Sequence, residues 1–387
     1  MRGTAVQFGA GNIGRGFIAQ LFHESGLEVV FVDVASDLVE AINARGAYTI
    51  QIVGREAQQV RITGVRAIHG QDRERVAAEI AQAEIVCTAV GAGALPHIAP
   101  ALASGLLARH QRSAPPLNVL LCENLHNAAT RFRDMVAVHL PEPLRAPVLA
   151  QTGFVQTVVA RMVPTLTAEE RAADPLSIRV EAYKRLPADA HAVVGTFPPI
   201  VGVELVDNFP AWEARKLYTH NCAHAVIGYL GHRAGYVYGH EALRDPRITA
   251  LLDRVMQETG NALIAQYGFH PQEHAAHVAD LMERFRNESL GDTCQRLARD
   301  PIRKLAPGDR LVGAARLCEA QGIVPDALAA VIACALRYAD PDDPSAPALQ
   351  KMIREKGLHE TLHQVSGIEP QEPLAARIHA YYTEEGP

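Results

Sequence analysis

The apolar residues in the first half of the chain fall in short runs separated by helical stretches. "TAVQF", ending at Phe8, reads as a strand, and "LEVVFVDV", with Asp33 near its end, reads as another. Between them Ile13, Phe17, Leu21 and Phe22 recur at helical spacing, and Gly26 stops the helix. "SDLVEAINARG" predicts a second helix, capped by Ser36 or Asp37 and ended by Gly46. "AYTIQIVG" and "QQVRITGVRAI" read as paired strands, an excursion from strand–helix alternation. "RERVAAEIAQA" and "APALASGLLARHQ" are helical; "EIVCTAVGAGAL" and "LNVLLCEN" are buried strands, and "LSIRVEAYKRL" is a late one. From about residue 205 the period is helical throughout, from "AWEARKLYTHNCAHAVIGYLGHRAG" through "RITALLDRVMQETGNALIAQYG" to "DALAAVIACALRYA". Two domains are therefore expected: an α/β domain with a doubly wound sheet over 1–204, and a mainly α-helical domain over 205–387.

The turn after the first strand, "GAGNIGRGF", places Gly9, Gly11 and Gly14 as G-x-G-x-x-G. Strand, glycine turn, helix, strand and acid together predict a Rossmann-type dinucleotide site. Gly9 allows the tight turn, Gly11 lets a pyrophosphate approach the backbone, and Gly14 lets the helix pack on the sheet. Asn12 and Ile13 open a helix whose free N–H groups and dipole favour phosphate. Asp33 is expected to bind a ribose 2′-OH and to repel a 2′-phosphate, which selects NAD over NADP. Ligands of such sheets sit at the carboxyl ends of strands, so Val90, Gly91, Glu123 and Asn124 point at the same site.

Composition narrows the class. The chain has 387 residues, 48% of them hydrophobic, enough for a large core. A net charge of −6 argues against a nucleic-acid or anionic-membrane surface. No apolar run approaches the roughly 18 residues of a membrane span. The first strand begins at once, so no signal peptide is expected. Six scattered cysteines without C-x-x-C pairing fit reduced thiols in a cytoplasmic protein.

The second domain's first helix carries the candidate chemistry. In "KLYTHNCAH", Lys216, Asn221 and His224 lie at roughly 0°, 140° and 80° on an α-helical wheel, within one half of the helix. A lysine there, with its pKa lowered by burial, can take the proton of an alcohol near neutral pH. The spacing alone equally fits a solvated face with a packed histidine. His220, Cys222 and His224 superficially resemble metal ligands, as do His274 and His277 in "HAAH". They lack the convergence of a zinc site, and no metal is expected.

This stretch resembles the K-x4-N-x2-H signature of the polyol-specific long-chain dehydrogenase/reductase family. "FGAGNIGRGFI", "CEN" (122–124), "GFVQTVVARMVP" (153–164) and "DPIRKLAPGDRL" (300–311) extend the resemblance over nearly the whole chain, on the side of its sugar-phosphate branch. The resemblance implies metal-independent, reversible oxidation of D-mannitol 1-phosphate to D-fructose 6-phosphate with NAD. Lys216 would be the general base, Asn124 and Asn221 would hydrogen-bond the reacting oxygen, and His224 would position a substrate hydroxyl. It also implies a monomer. Ala160, where the family often has Asp, and His220 depart from the pattern. Arg303, Lys304 and Arg310 are the candidate phosphate ligands, because guanidinium and ammonium suit a sugar phosphate; surface charge is the alternative. Dehydrogenation of an unphosphorylated polyol or uronate, and NAD sensing without turnover, remain open alternatives.

Overall fold

The computed structural model describes residues 3–54, 57–125, 127–164 and 166–384. The chain divides into two compact units, Met1–Phe209 and Pro210–Pro387. The break falls five residues beyond the expected 204, after the short strand Val203–Val206 has closed the first unit.

The first unit is built on six strands: β1 (Thr4–Phe8), β2 (Glu28–Asp33), β3 (Val65–His69), β4 (Ile85–Thr88), β5 (Leu117–Leu121) and β6 (Thr152–Gln156). They pair in the order β3-β2-β1-β4-β5-β6, and every pairing is parallel. Chain direction reverses its walk across the sheet between β1 and β4, so their carboxyl ends open the crevice where ligands bind. Both faces of the sheet are covered, which explains the continuous apolar runs. Ala5, Val29, Phe31 and Cys87 pack on one side with Phe17 and Leu21 of the first helix. Their neighbours Val6, Val30, Val32 and Val86 pack on the other with Val76, Leu102 and Phe132.

Two details depart from the sequence pattern. "QQVRITGVRAI" is not one strand. Gly64, at φ +66°, breaks it. Gln58–Thr63 joins Ala47–Ile52 and Ile178–Val180 in a separate three-stranded sheet, while Val65–His69 enters the main sheet as β3. The helix Ser36–Arg45 is not capped by Ser36 or Asp37: its cap is Ala35, whose side chain offers nothing. Asp33 does the work instead, accepting the Ala35 N–H at 3.0 Å. Gly46 ends that helix in the left-handed conformation, at φ +58°.

The second unit is helical, and its described residues form no strand. Phe209–Arg215 leads through a π turn, Lys216–Asn221, into Cys222–Arg233. This last helix is buried on almost every side, as its run "CAHAVIGYLG" requires. Gly228 and Gly231 let neighbours approach it closely. A Cβ on Gly228 would stand 2.6 Å from the backbone of Leu297 and Ala298, and one on Gly231 would stand 2.5 Å from Cys294 Sγ. The short helix Cys294–Ala298 is thereby pressed against the lysine-bearing helix and fixes the start of the segment that carries Arg303, Lys304 and Arg310. The proline- and acid-rich stretch "LRYADPDDPSAPA" also braces that segment. Asp340 and Asp343 are both buried. Asp343 accepts the N–H of Asp300 at 2.9 Å, and Ser345 donates to the Asp300 carboxylate at 3.0 Å. These contacts hold Asp300 at φ +63°, strained for a non-glycine residue.

Candidate active site

In the first unit the glycines take up distinct duties. Gly9 sits at φ +88°, and a Cβ there would meet the Ala89 carbonyl at 2.5 Å. A Cβ on Gly14 would lie 1.9 Å from the Gly9 carbonyl. Gly11 faces open space, with nothing within 4 Å of the position a Cβ would take. The loop is thus closed on the protein side and bare where a pyrophosphate would approach, with Asn12 and Ile13 following it into the helix. The residues fit a dinucleotide. Asp33 accepts the Ala10 N–H at 2.6 Å and the Ala35 N–H at 3.0 Å, which orients its carboxylate at the end of β2 while leaving acceptor capacity on both oxygens.

Arg15 and Glu123 complete this architecture. Arg15 is buried and donates to the Ala10 carbonyl at 2.6 Å, while Tyr48 donates to the Arg15 carbonyl at 2.7 Å. Burial lowers the Arg15 pKa, partly opposed by the Asp33 carboxylate nearby. Glu123 accepts the Thr88 hydroxyl at 2.7 Å and the Val90 N–H at 3.1 Å. It therefore ties the end of β5 to the second glycine loop, at Val90 and Gly91. Burial raises its pKa, against those hydrogen bonds. The sequence signal for both was a charged residue inside an otherwise apolar segment. Asn124 follows Glu123 and is exposed.

In the second unit the helix bearing Lys216, Asn221 and His224 is not a uniform α-helix. Over Lys216–Asn221 it widens into a π turn. Hydrogen bonding there runs from i to i+5, so residues five apart acquire the relation that i and i+4 have in an α-helix. Lys216 and Asn221 are brought towards one stripe, and His224 follows Asn221 three residues later on the α-helix. An α-helical wheel splays Lys216 and Asn221 by roughly 140°; the π turn removes most of that offset.

The turn is anchored at both ends. The Arg215 guanidinium lies over the Trp212 ring at 4.1 Å and over the Phe269 ring at 4.7 Å. Thr219 Oγ1 donates to the Arg215 carbonyl at 2.5 Å. Across the turn, a Cβ on Gly313 would stand 2.8 Å from the Tyr218 hydroxyl, so only glycine admits this approach.

Burial pushes the Lys216 ammonium down to about 8, with the Arg310 cation adding to the shift and Glu213 and Asp309 opposing it. His220 and His224 are held well below the usual imidazole value, chiefly by burial and then by neighbouring positive groups. Both rings are neutral at pH 7. His224 packs against Phe285 at 4.3 Å between ring centres and against His220 at 4.7 Å, and its Nε2 has no hydrogen-bond partner within the protein. His220 is thus a packing partner of His224. It also touches Phe285, at 5.3 Å.

The three candidate phosphate ligands fall in different settings. Arg310 is buried, pairs with Asp309 at 2.7 Å, and its charge is felt at both Lys216 and His224. Lys304 is buried, donates to the Arg299 carbonyl and lies over the Tyr229 ring at 5.9 Å. Burial and the Arg310 and Arg303 charges lower its pKa to about 7. Arg303 is half exposed and pairs with Asp300 at 2.9 Å and Asp309 at 3.6 Å. Among the described residues no three His, Cys, Asp or Glu side chains are grouped to hold a metal ion.

The family model of the mannitol dehydrogenase Rossmann domain matches residues 3–202, and that of the mannitol dehydrogenase C-terminal domain matches residues 208–384. The chain belongs to the mannitol dehydrogenase family. A mannitol-1-phosphate 5-dehydrogenase of Brevibacillus brevis is 42% identical over 370 residues, 96% of this chain and 95% of that protein. The fold matches that of Pseudomonas fluorescens mannitol 2-dehydrogenase, solved as a ternary complex with NAD and D-mannitol. That match has a TM-score of 0.77 at 17% identity, over 98% of this chain and 91% of the other. A substrate-free D-sorbitol dehydrogenase matches with a TM-score of 0.79 at 17% identity, over 99% and 93% of the two chains. The mannitol dehydrogenase architecture, a parallel-sheet domain followed by a helical one, is therefore common to all three.

Proposed function

We propose that this protein catalyses the reversible, NAD-dependent oxidation of D-mannitol 1-phosphate to D-fructose 6-phosphate. The observation that carries the proposal is Lys216, held on a π turn with its pKa lowered to about 8, in a chain 42% identical to a mannitol-1-phosphate 5-dehydrogenase. The chemistry that bound NAD would supply is hydride acceptance from the carbinol carbon. Gly9, Gly11, Asn12, Ile13 and Gly14 would hold its pyrophosphate, Asp33 would hold a ribose hydroxyl, and the loop at Val90 and Gly91 would lie over it. Neutral Lys216 accepts the hydroxyl proton of the alcohol and returns it in ketone reduction. The amides of Asn221 and Asn124 hydrogen-bond the reacting oxygen and stabilise its alkoxide character. His224, neutral and with Nε2 uncommitted, positions a substrate hydroxyl. Arg310 is the leading phosphate ligand, with Lys304 and Arg303 supporting it.

We further infer a cytoplasmic monomer, a location supported by six cysteines that are all buried free thiols. Among the described residues no helix is long and apolar enough to cross a membrane. The test is the initial rate of NADH formation with mannitol 1-phosphate and with free mannitol at equal concentration. A strong preference for the phosphate supports the assignment. Turnover of mannitol alone transfers the protein to the free-polyol dehydrogenases and reduces Arg303, Lys304 and Arg310 to structural charges. Binding of NADH with no turnover of either substrate makes it a sensor.

A further inference from the structure

The second unit contains a cavity of about 520 Å³ that the proposed reaction does not use. None of Lys216, Asn221 or His224 lines it. It opens at the far end of the lysine-bearing helix, where Leu230 and Arg233 lie roughly 9 and 13 Å along the axis from His224 at 1.5 Å per residue. The floor is apolar, made by Leu230, Ile248, Leu251, Ala330 and the Cys334 thiol. The rim is cationic, with Arg233, Arg247, Arg254 and Arg337 facing one lining carboxylate, Asp245. Arg247 pairs with Asp245 at 2.8 Å, Arg254 pairs with Asp326 at 2.6 Å, and Arg233 hydrogen-bonds the Cys334 thiol. Arg337 spends its N–H groups on the carbonyls of Tyr382 and Glu384, neutral acceptors, and lies over the Tyr382 ring at 4.9 Å. It thereby fastens the C-terminal segment, whose Tyr381 forms one wall.

Volume, apolar floor and a few converging polar groups are the anatomy of a small-molecule site. We propose that this cavity is a second binding site, for a small organic anion with an apolar body and a phosphate or carboxylate head. The guanidinium rim, with four arginines to one lining carboxylate, offers charge-assisted hydrogen bonds to the head through the N–H groups these pairings leave over. The floor accepts hydrocarbon and strands hydroxyls, because Leu, Ile and Ala side chains offer them no partner. A polyol phosphate is therefore excluded, and the cavity is chemically distinct from the proposed substrate site.

The test is isothermal titration calorimetry of the full chain with octyl phosphate, with mannitol 1-phosphate present at saturation and no NAD, so that substrate-site binding is blocked. One saturable site is expected, with 1-octanol and inorganic phosphate each at least about tenfold weaker, a difference of about 1.4 kcal/mol. Ala330→Phe, which fills the floor, should weaken octyl phosphate by about tenfold or more while leaving mannitol 1-phosphate oxidation unchanged. Ala250→Phe, at an exposed lining position, provides the same test if the first variant fails to fold. Absence of a saturable site, octanol binding as well as octyl phosphate, or indifference to the filling substitution overturns the proposal. The filling variants assign octyl phosphate to this cavity whether or not mannitol 1-phosphate occupies the substrate site, so failure of either assignment is seen separately.

Discussion

The glycine loop of the first unit and the lysine turn of the second both set a π turn into a helix, at Gly14–Ile18 and at Lys216–Asn221, yet they are made of different materials. The loop is local. Its glycines, the strand before it and the acid after it all lie within about thirty residues; Gly14 answers the Gly9 carbonyl inside the loop, Gly9 answers the Ala89 carbonyl at the end of β4, and Gly11 faces open space. The lysine turn is held from a distance. Arg215 is clamped between Trp212 and Phe269, and Tyr218 lies under Gly313. Lys216 owes part of its lowered pKa to Arg310, 94 residues away. In the proposed reading, one region recognises a constant cofactor shape, and the other assembles a base, an amide and an imidazole whose protonation states depend on the surrounding fold.

The sharpest way to test this difference is to remove the base. Lys216→Ala should cut kcat by about 10²–10⁴-fold, the usual contribution of a general base, while the Kd for NADH from fluorescence titration stays within about twofold. Equal loss of both would reject the base assignment. Because alcohol oxidation needs the neutral amine, and burial places the Lys216 pKa at about 8, kcat for oxidation should rise with pH through about 8. Ketone reduction, which needs the ammonium, should fall over the same range. A flat oxidation profile from pH 6 to 9 would contradict the role.

The glycine loop should divide its labour between folding and binding. Gly14→Ala forces a Cβ to within 1.9 Å of the Gly9 carbonyl, so the backbone must shift; a loss of about 3 kcal/mol is expected, visible as a fall in Tm. Gly11→Ala meets nothing within 4 Å and should fold normally, yet weaken NAD binding by about tenfold or more by occupying the pyrophosphate's approach. If both variants behaved alike in Tm and in Kd, the separation of duties would be wrong.

These contrasts explain which parts of the molecule were legible in its sequence. The parallel sheet and its nucleotide turn follow from apolar period, glycine spacing and Asp33, all local signals. The division into an α/β and a helical unit follows from the change of period. The course of the chain at Gly64 was hidden, because one apolar run serves two sheets and only partner strands decide where it is cut. The capping of Ser36–Arg45 was misread because Asp33 satisfies the helix end from outside it. At the lysine helix the residues were visible and their geometry was not, since a π turn leaves no mark in a 3.6-residue wheel. The acid-rich stretch around Asp340 and Asp343 has a polar composition that gives no sign of burial. Its buried carboxylates instead hold backbone N–H groups near Asp300.

A smaller effect tests the local region's choice of cofactor. Asp33→Asn keeps the size of the side chain and an acceptor for the Ala10 N–H but removes the charge. The preference for NAD over NADP, as a ratio of kcat/KM values, should fall by about tenfold, because a carboxylate repels the 2′-phosphate and an amide does not. An unchanged ratio would remove Asp33 from the cofactor site.

The smallest predicted change, at Arg303, comes from the distant region, where one candidate cation serves as control for another. Arg310 is buried beside the lysine turn, whereas Arg303 is half exposed between two carboxylates. Arg310→Gln should raise KM for mannitol 1-phosphate by roughly ten- to a hundredfold, the value of about 1.5–3 kcal/mol for a hydrogen bond to a charged group. Arg303→Gln should change it by less than about fivefold, as for an exposed ion pair. The two also separate in pH dependence. The Arg310 charge lowers the Lys216 pKa, so its removal lets that pKa rise and moves the midpoint of the oxidation profile to higher pH. Arg303 is half exposed and its charge is balanced by Asp300 and Asp309, so the profile of Arg303→Gln should overlie that of the unaltered enzyme. A raised KM with an unmoved midpoint would leave Arg310 as a phosphate ligand and deny it any part in tuning the base. A moved midpoint with unchanged KM would do the reverse.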